Sequence, residues 1–125
     1  MKLLSNSSRT FLFALLFPIT SFAADPWSNV DKARQAAYYT VTVIDWGQTR
    51  YIVKHPELYY ETNVRLGRRP STSDVNKFFL VSLIGHTAIV HYMPASFRPV
   101  FQYLTIGYEF SAVERNFGLG IKMEF

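Results

Sequence analysis

Asp45, Gln48 and Thr49 fall within one short stretch, DWGQTR, and Glu61 and Asn63 follow in YYETN. Two more groups of the same chemical kind, His86 and Glu109, stand far along the chain. Carboxylates and an imidazole brought together in a dry interior are ligands for a cation or carriers of a proton. Their plainer role is structural: polar partners that hold helices in register. The expected cluster is Asp45, Gln48, Thr49, Glu61, Asn63, Asn76, His86, Gln102 and Glu109. No metal or cofactor is assigned to it, because H-E-x-x-H is absent and His86 and His91, five apart, diverge around a helix. No G-x-S-x-G and no phosphate-cradling glycine loop occurs, so catalysis is not the leading expectation.

The elements that would carry these groups are helical. Asp31, Gln35, Tyr38, Thr42, Asp45 and Thr49 recur at spacings of 4, 3, 4, 3 and 4, one continuous helix face. Arg98, Gln102, Thr105 and Glu109 repeat at 4, 3 and 4, and Asn116 extends that line. The segment between them is apolar nearly all round, apart from Asn76, Lys77, Ser82, His86, Thr87 and His91. Start and stop signals predict helices over 29–54, 73–92 and 95–115: Ser28 or Asn29 as a cap, His55-Pro56 as a stop, STSD as a second start, Pro94 as its end. The expected fold is all-α, a three-helix bundle with a short extended C-terminal tail, NFGLGIKMEF. That tail alternates like the closing strand of an outer-membrane barrel, but 102 residues of helical periodicity leave no room for eight strands.

The polar stretch carries a resemblance. The pattern D-W-G-Q-T-R-Y-I (45–52), then Y-Y-E-T-N-x-x-L-G-x-x-P-S (59–71), then V-N-x-F-F (75–79) resembles small exported or membrane proteins of bacteria and their phages. The resemblance includes Leu66, Gly67, Pro70 and Ser71 beside the polar residues above, and implies an architecture but no reaction.

The first 23 residues read as a secretory signal: Lys2 and Arg9, an apolar FLFALLFPIT and a small-x-small SFA, with cleavage after Ala23 leaving a single domain at 24–125. An uncleaved anchor is the alternative. The chain has 13 basic and 9 acidic residues, and loss of Lys2 and Arg9 leaves 11 against 9. That balance, and the lack of a basic groove interleaved with aromatics, argues against a nucleic-acid partner. With no cysteine, disulfide and thiolate chemistry are excluded.

Hydrophobic residues make up 49% of the chain, and the sides opposite the polar stripes are rich in them. Polar inside and apolar outside is the pattern of a bundle in lipid. FFLVSLIGHTAIVHYM (78–93) reads as the one segment able to span alone, with the other helices inserting as its partners. Glycines at 47, 85 and 107 would let helices approach closely, and Arg50 and Arg98 would snorkel toward the surface. Tyr59, Tyr60 and Tyr92 would lie at interfaces. Arg65, Arg68 and Arg69 would set topology or meet anionic lipid.

The expectation is a small exported inner-membrane protein with a non-enzymatic structural or interaction role, its partners lipid and either another protein or its own copies. The alternatives are an ion- or proton-handling or enzymatic site on Asp45, Glu61, His86 and Glu109, and a soluble periplasmic binding bundle.

Overall fold

The computed structural model describes residues 24–125. The signal-peptide reading falls on residues 1–23 and lies outside the described residues.

Three helices follow one another: α1 (Asn29–Lys54), α2 (Thr72–Tyr92) and α3 (Arg98–Gly118). The first two start on the same device. Ser28 accepts from the Asp31 N–H while Asp31 accepts from the Ser28 N–H, and Ser71 and Asp74 repeat the arrangement. Each such box satisfies two of the backbone donors that a helix start leaves open. α3 has no side-chain cap and begins three residues later than its sequence signals predict. Pro94 to Phe97 instead close a turn, with the Phe97 N–H on the Pro94 carbonyl at 2.9 Å, and Pro99 then occupies the first helical turn.

α1 is the central element. Its N-terminal half meets the end of α2 and the start of α3, and its C-terminal half meets the start of α2 and the end of α3. The helices therefore run up, down and up. α1 packs along both neighbours, whereas α2 and α3 touch little. Their contacts cluster near the turn that joins them, where Arg98 reaches the Val90 carbonyl and His86 reaches Thr105. Beyond that turn the α2/α3 hairpin splays.

The interior is inverted. Asp31, Gln35, Thr42, Gln48, Thr49, His86, Arg98, Gln102 and Asn116 are buried, beside a sparse apolar core of Tyr38, Ile52, Val75, Phe79, Val90, Val113 and Ile121. Leu80, Ile84, Val100 and Leu104, at 47–70% exposure, face outward. Among the described residues seven apolar side chains are buried against ten polar ones, so the helix seams consist largely of polar contacts.

Three sequence expectations need correction. No helix among the described residues is long and apolar enough to cross a membrane. Asp74, Asn76 and Lys77 occupy the first turns of α2 and His86 and His91 its second half, which shortens its apolar run. Arg98 does not snorkel: it is 0% exposed. Of the three helix glycines only Gly47 is packed, its Cβ position lying 3.2 Å from the Met123 Cβ and closer still to the Phe125 ring, while Gly85 and Gly107 have open space.

The tail is extended and lies back along α1. The Glu124 N–H bonds the Gly47 carbonyl at 3.0 Å, Arg50 donates to the Glu124 carbonyl at 3.1 Å, and Lys54 pairs with the Glu124 carboxylate at 3.2 Å. Phe125 sets its edge against the Trp46 ring, and Trp46 stacks on Phe79.

Candidate functional site

The two polar stripes meet along α1, but not as one cluster. They form a closed network at the Arg98 end and an open site at the Asp45 end.

At the Arg98 end every guanidinium N–H has an acceptor. Nε donates to the Val90 carbonyl at 2.9 Å. Nη1 donates to the Pro26 carbonyl at 2.9 Å and to Asp31 Oδ2 at 3.1 Å. Nη2 donates to the carbonyls of Asp25 at 2.7 Å and His91 at 3.2 Å. Burial works to raise the Asp31 pKa, but the Ser28 backbone N–H and the Arg98 guanidinium outweigh it and hold the carboxyl below its usual range. Arg34 adds a second cation on Asp31 Oδ1.

A directional chain of hydrogen bonds leaves this pair. Arg34 donates to Gln102 Oε1 at 2.7 Å, Gln102 to Gln35 Oε1 at 3.1 Å, and Gln35 to His86 Nδ1 at 3.0 Å. Because the Gln35 oxygen is already occupied, its amide nitrogen faces His86, so Nδ1 accepts and Nε2–H donates to Thr105 at 2.8 Å. The ring lies between Tyr38, 3.5 Å centroid to centroid, and Phe101 at 4.9 Å. Burial pushes the His86 pKa down to about 4, so the imidazole is neutral at physiological pH. This network is saturated, with no open donor or acceptor aimed at a ligand on His86.

The Asp45 end is different. Asp45 and Glu109 face each other as a carboxyl pair, and Asn116 donates to Asp45 Oδ1 at 3.4 Å and to Gln48 Oε1 at 3.1 Å. Gln48 completes its bonding on the Val113 carbonyl at 3.3 Å. Burial, then the charges of Glu109 and Glu61, push the Asp45 pKa up to about 8. Burial also raises Glu109, against the hydrogen bond from Asp45. Two like groups in a desolvated site cannot both ionise, so the pair keeps a proton near neutral pH. Glu109 Oε2 is sealed from solvent and has no hydrogen-bond partner, as is Thr42 Oγ1 on the same stripe.

This pair lies in a groove of about 1420 Å³ opened by the splay of α2 and α3. Asp45 and Thr49 on α1 and Glu109 on α3 line it, with Phe78, Val81 and Tyr108 as apolar surface.

Of the remaining expected residues Glu61, Asn63 and His86 line the same groove, while Asn76 and Gln102 do not. Glu61 is buried in its loop, its Oε1 accepting from the N–H groups of Thr62 at 2.9 Å and Asn63 at 2.8 Å. Asn63 accepts from the Arg65 N–H at 3.0 Å and stabilises the turn that Gly67, at φ 78°, completes. Asn76 lies outside the seam, accepting from Trp46 at 2.9 Å and Arg50 at 2.7 Å. His86 and Gln102 belong to the Arg98 network and make no bond to Asp45 or Glu109. Arg68 stacks over Tyr60 at 4.3 Å and Arg69 donates to the Tyr59 carbonyl at 3.2 Å, so two of the three loop arginines hold the loop itself.

Residues not assigned to the expected cluster but central to it are Arg98, Asp31, Arg34, Gln35, Thr105 and Asn116. Arg98, Thr105 and Asn116 share the α3 stripe with Gln102 and Glu109, and that spacing was the available signal. Among the described residues no three His, Asp or Glu side chains are grouped to hold a metal ion. The chain matches no protein family, no curated protein and no solved structure.

Proposed function

We propose that the protein is a non-enzymatic interaction protein of the cell envelope, exported and held against the inner membrane by its apolar helix faces. The observation that carries this reading is the inverted interior: most polar side chains between the helices bond one another, and the outward faces of α2 and α3 present Leu80, Ile84, Val100 and Leu104. An exposed apolar surface beyond scattered single residues marks an interaction site. The proposed mode is attachment and docking, not a span.

Carbonate extraction and vesicle flotation test it. The full chain should float with inner-membrane lipid vesicles, and Ile84→Glu with Leu104→Glu, which touch no polar contact, should release it. A protein that stays in the soluble fraction, or a variant that floats unchanged, would overturn the reading.

The Asp45–Glu109 pair favours a second reading, a proton-holding site. Its pKa of about 8 at Asp45 lies where small changes of pH move a proton. Proton uptake measured by titration between pH 7 and 9 should drop in Asp45→Asn, and unchanged uptake would remove this reading.

A further inference from the structure

Val64 is the most exposed large apolar side chain of the described residues, at 93%. It lies in the turn of the loop that joins α1 to α2, and the same loop leaves Leu58 65% and Tyr60 52% exposed. The loop is built to hold these side chains out. The Glu61 N–H bonds the Arg68 carbonyl at 3.1 Å, and the Asn63 carbonyl accepts from the Leu66 and Gly67 N–H groups, each at 3.1 Å. Glu61 Oε1 takes the N–H groups of Thr62 and Asn63, and Asn63 Oδ1 takes that of Arg65. Backbone donors are thus satisfied within the loop, so the turn keeps its shape without packing Val64 against anything.

The loop is also basic. Between Leu58 and Ser73 lie Arg65, Arg68 and Arg69 and a single acid, Glu61, which is buried. All three arginines are exposed, and none belongs to an ion pair among the described residues. Arg68 lies over the Tyr60 ring, and Arg69 donates to the carbonyls of Pro56 and Tyr59, contacts that fix the side chains without neutralising them. At the margins Lys54 pairs with Glu124, and Lys77 stands against Glu57 and Asp74, so the positive surplus sits on the loop itself. The opposite end of the bundle exposes Tyr92, Phe97 and Val100 as well, but the one cation between positions 92 and 104, Arg98, is inside the molecule. Only the loop combines exposed apolar side chains with unpaired cations in this way.

We propose that the 58–69 loop enters the headgroup layer of an anionic phospholipid surface, with Leu58, Tyr60 and Val64 in the interface and Arg65, Arg68 and Arg69 on the lipid phosphates. This deepens the membrane attachment proposed above and rests on it, naming the lipid class and the part of the chain that reads it. Apolar insertion and basic attraction each hold a protein weakly, and stable binding to a bilayer takes the two together. The negative leaflet charge attracts such cations, and a planar guanidinium takes a phosphate through two donors. A side chain standing clear of the surface, as Val64 does, gives a folded partner little to pack around, whereas a bilayer interface moulds to it. Tyrosine is suited to the same depth, with its ring in the apolar layer and its hydroxyl among the headgroups.

The test uses the full chain with vesicles of phosphatidylcholine, and with vesicles in which a third of that lipid is replaced by phosphatidylglycerol. Binding to the anionic vesicles should be about tenfold tighter, and the preference should shrink in about 1 M salt. Arg65→Glu, whose side chain makes no hydrogen bond within the chain, should remove most of the preference while its circular dichroism stays native. Because the chain has no cysteine, Val64→Cys can carry a polarity-sensitive dye at one site. Its emission should shift to the blue on anionic vesicles, and a dye at Ala33→Cys, near the other end of the bundle, should not respond. Equal binding to the two vesicles, an unchanged preference in Arg65→Glu, or a dye at position 64 that stays in water would overturn the inference. Equally tight binding to a polyglutamate peptide, with no shift of the dye on vesicles, would give the loop to an acidic protein and overturn it too. The two levels separate: a chain that floats on both vesicles without preference loses only the loop assignment. A chain that binds anionic vesicles through the loop, and is unaffected by the Ile84→Glu, Leu104→Glu double variant, loses only the attachment by helix faces. Binding to neither vesicle overturns both.

Discussion

Arg98 lies wholly inside the molecule and meets Asp31, across the bundle on α1, at 3.1 Å. Four backbone carbonyls take its other N–H groups, two of them from the segment that precedes α1 and two from the end of α2. One side chain thus ties together three parts of the chain. Arg98→Leu should cost about 3–5 kcal/mol in urea unfolding, because it leaves four backbone carbonyls without their donor and takes one of two cations from the buried Asp31. Asp31→Asn should cost less, about 1–3 kcal/mol, since the carbonyls still hold the guanidinium.

The carboxyl pair sets one limb of the pH profile. Asp45 has a folded pKa of about 8 against an ordinary value of 3.8, so the folded state binds more protons between those values. Its contribution to stability is fully present below pH 3.8 and is lost as pH rises through 8. Thermal melts should show the midpoint falling between pH 6.5 and 8, where His86 no longer titrates. Asp45→Asn should flatten that limb; a midpoint that still falls equally would place its cause elsewhere.

His86 sets the opposite limb. Its folded pKa of about 4 lies below the ordinary 6.5, so the unfolded chain takes up the proton first. Stability from the neutral ring is complete above pH 6.5 and is lost as pH falls through 4. Between those values it opposes Asp45, and the stability maximum lies where the two slopes cancel. Imidazole nitrogen chemical shifts at pH 6 should report a neutral ring protonated on Nε2, as the Gln35 and Thr105 bonds require.

The helix glycines should respond in opposite ways. Gly107→Ala meets nothing within 4 Å and should raise stability by about 0.5–1 kcal/mol, the helix-propensity gain. Gly47→Ala brings a Cβ to 2.6 Å from the Phe125 ring and 3.2 Å from the Met123 Cβ, which offsets that gain. Its readout is the tail: limited proteolysis after Lys122 should quicken in Gly47→Ala and stay unchanged in Gly107→Ala.

Local physics made much of this protein legible in its sequence. The capping residues Ser28 and Ser71 and the stop at Pro56 act within a few residues of themselves, so they mark α1 and the start of α2 without any tertiary knowledge. The spacing of Asp31, Gln35, Tyr38, Thr42, Asp45 and Thr49 places them on one face whatever surrounds the helix. Only the tertiary structure decided which of these stripes meet. The splay of α2 from α3 comes from packing and connection geometry spread over the described residues, and it gives His86 and Asp45 different partners on α3, Thr105 and Asn116, although both line one groove. It sends Asn76 to the far side of α1 with Arg50, buries Arg98 where a long basic side chain near a helix end reads as exposed, and leaves Asp45 and Glu109 in an open groove. A helical period fixes direction around one axis. The distance between axes, and hence which polar groups are satisfied and which are left facing a groove, belongs to the assembled bundle.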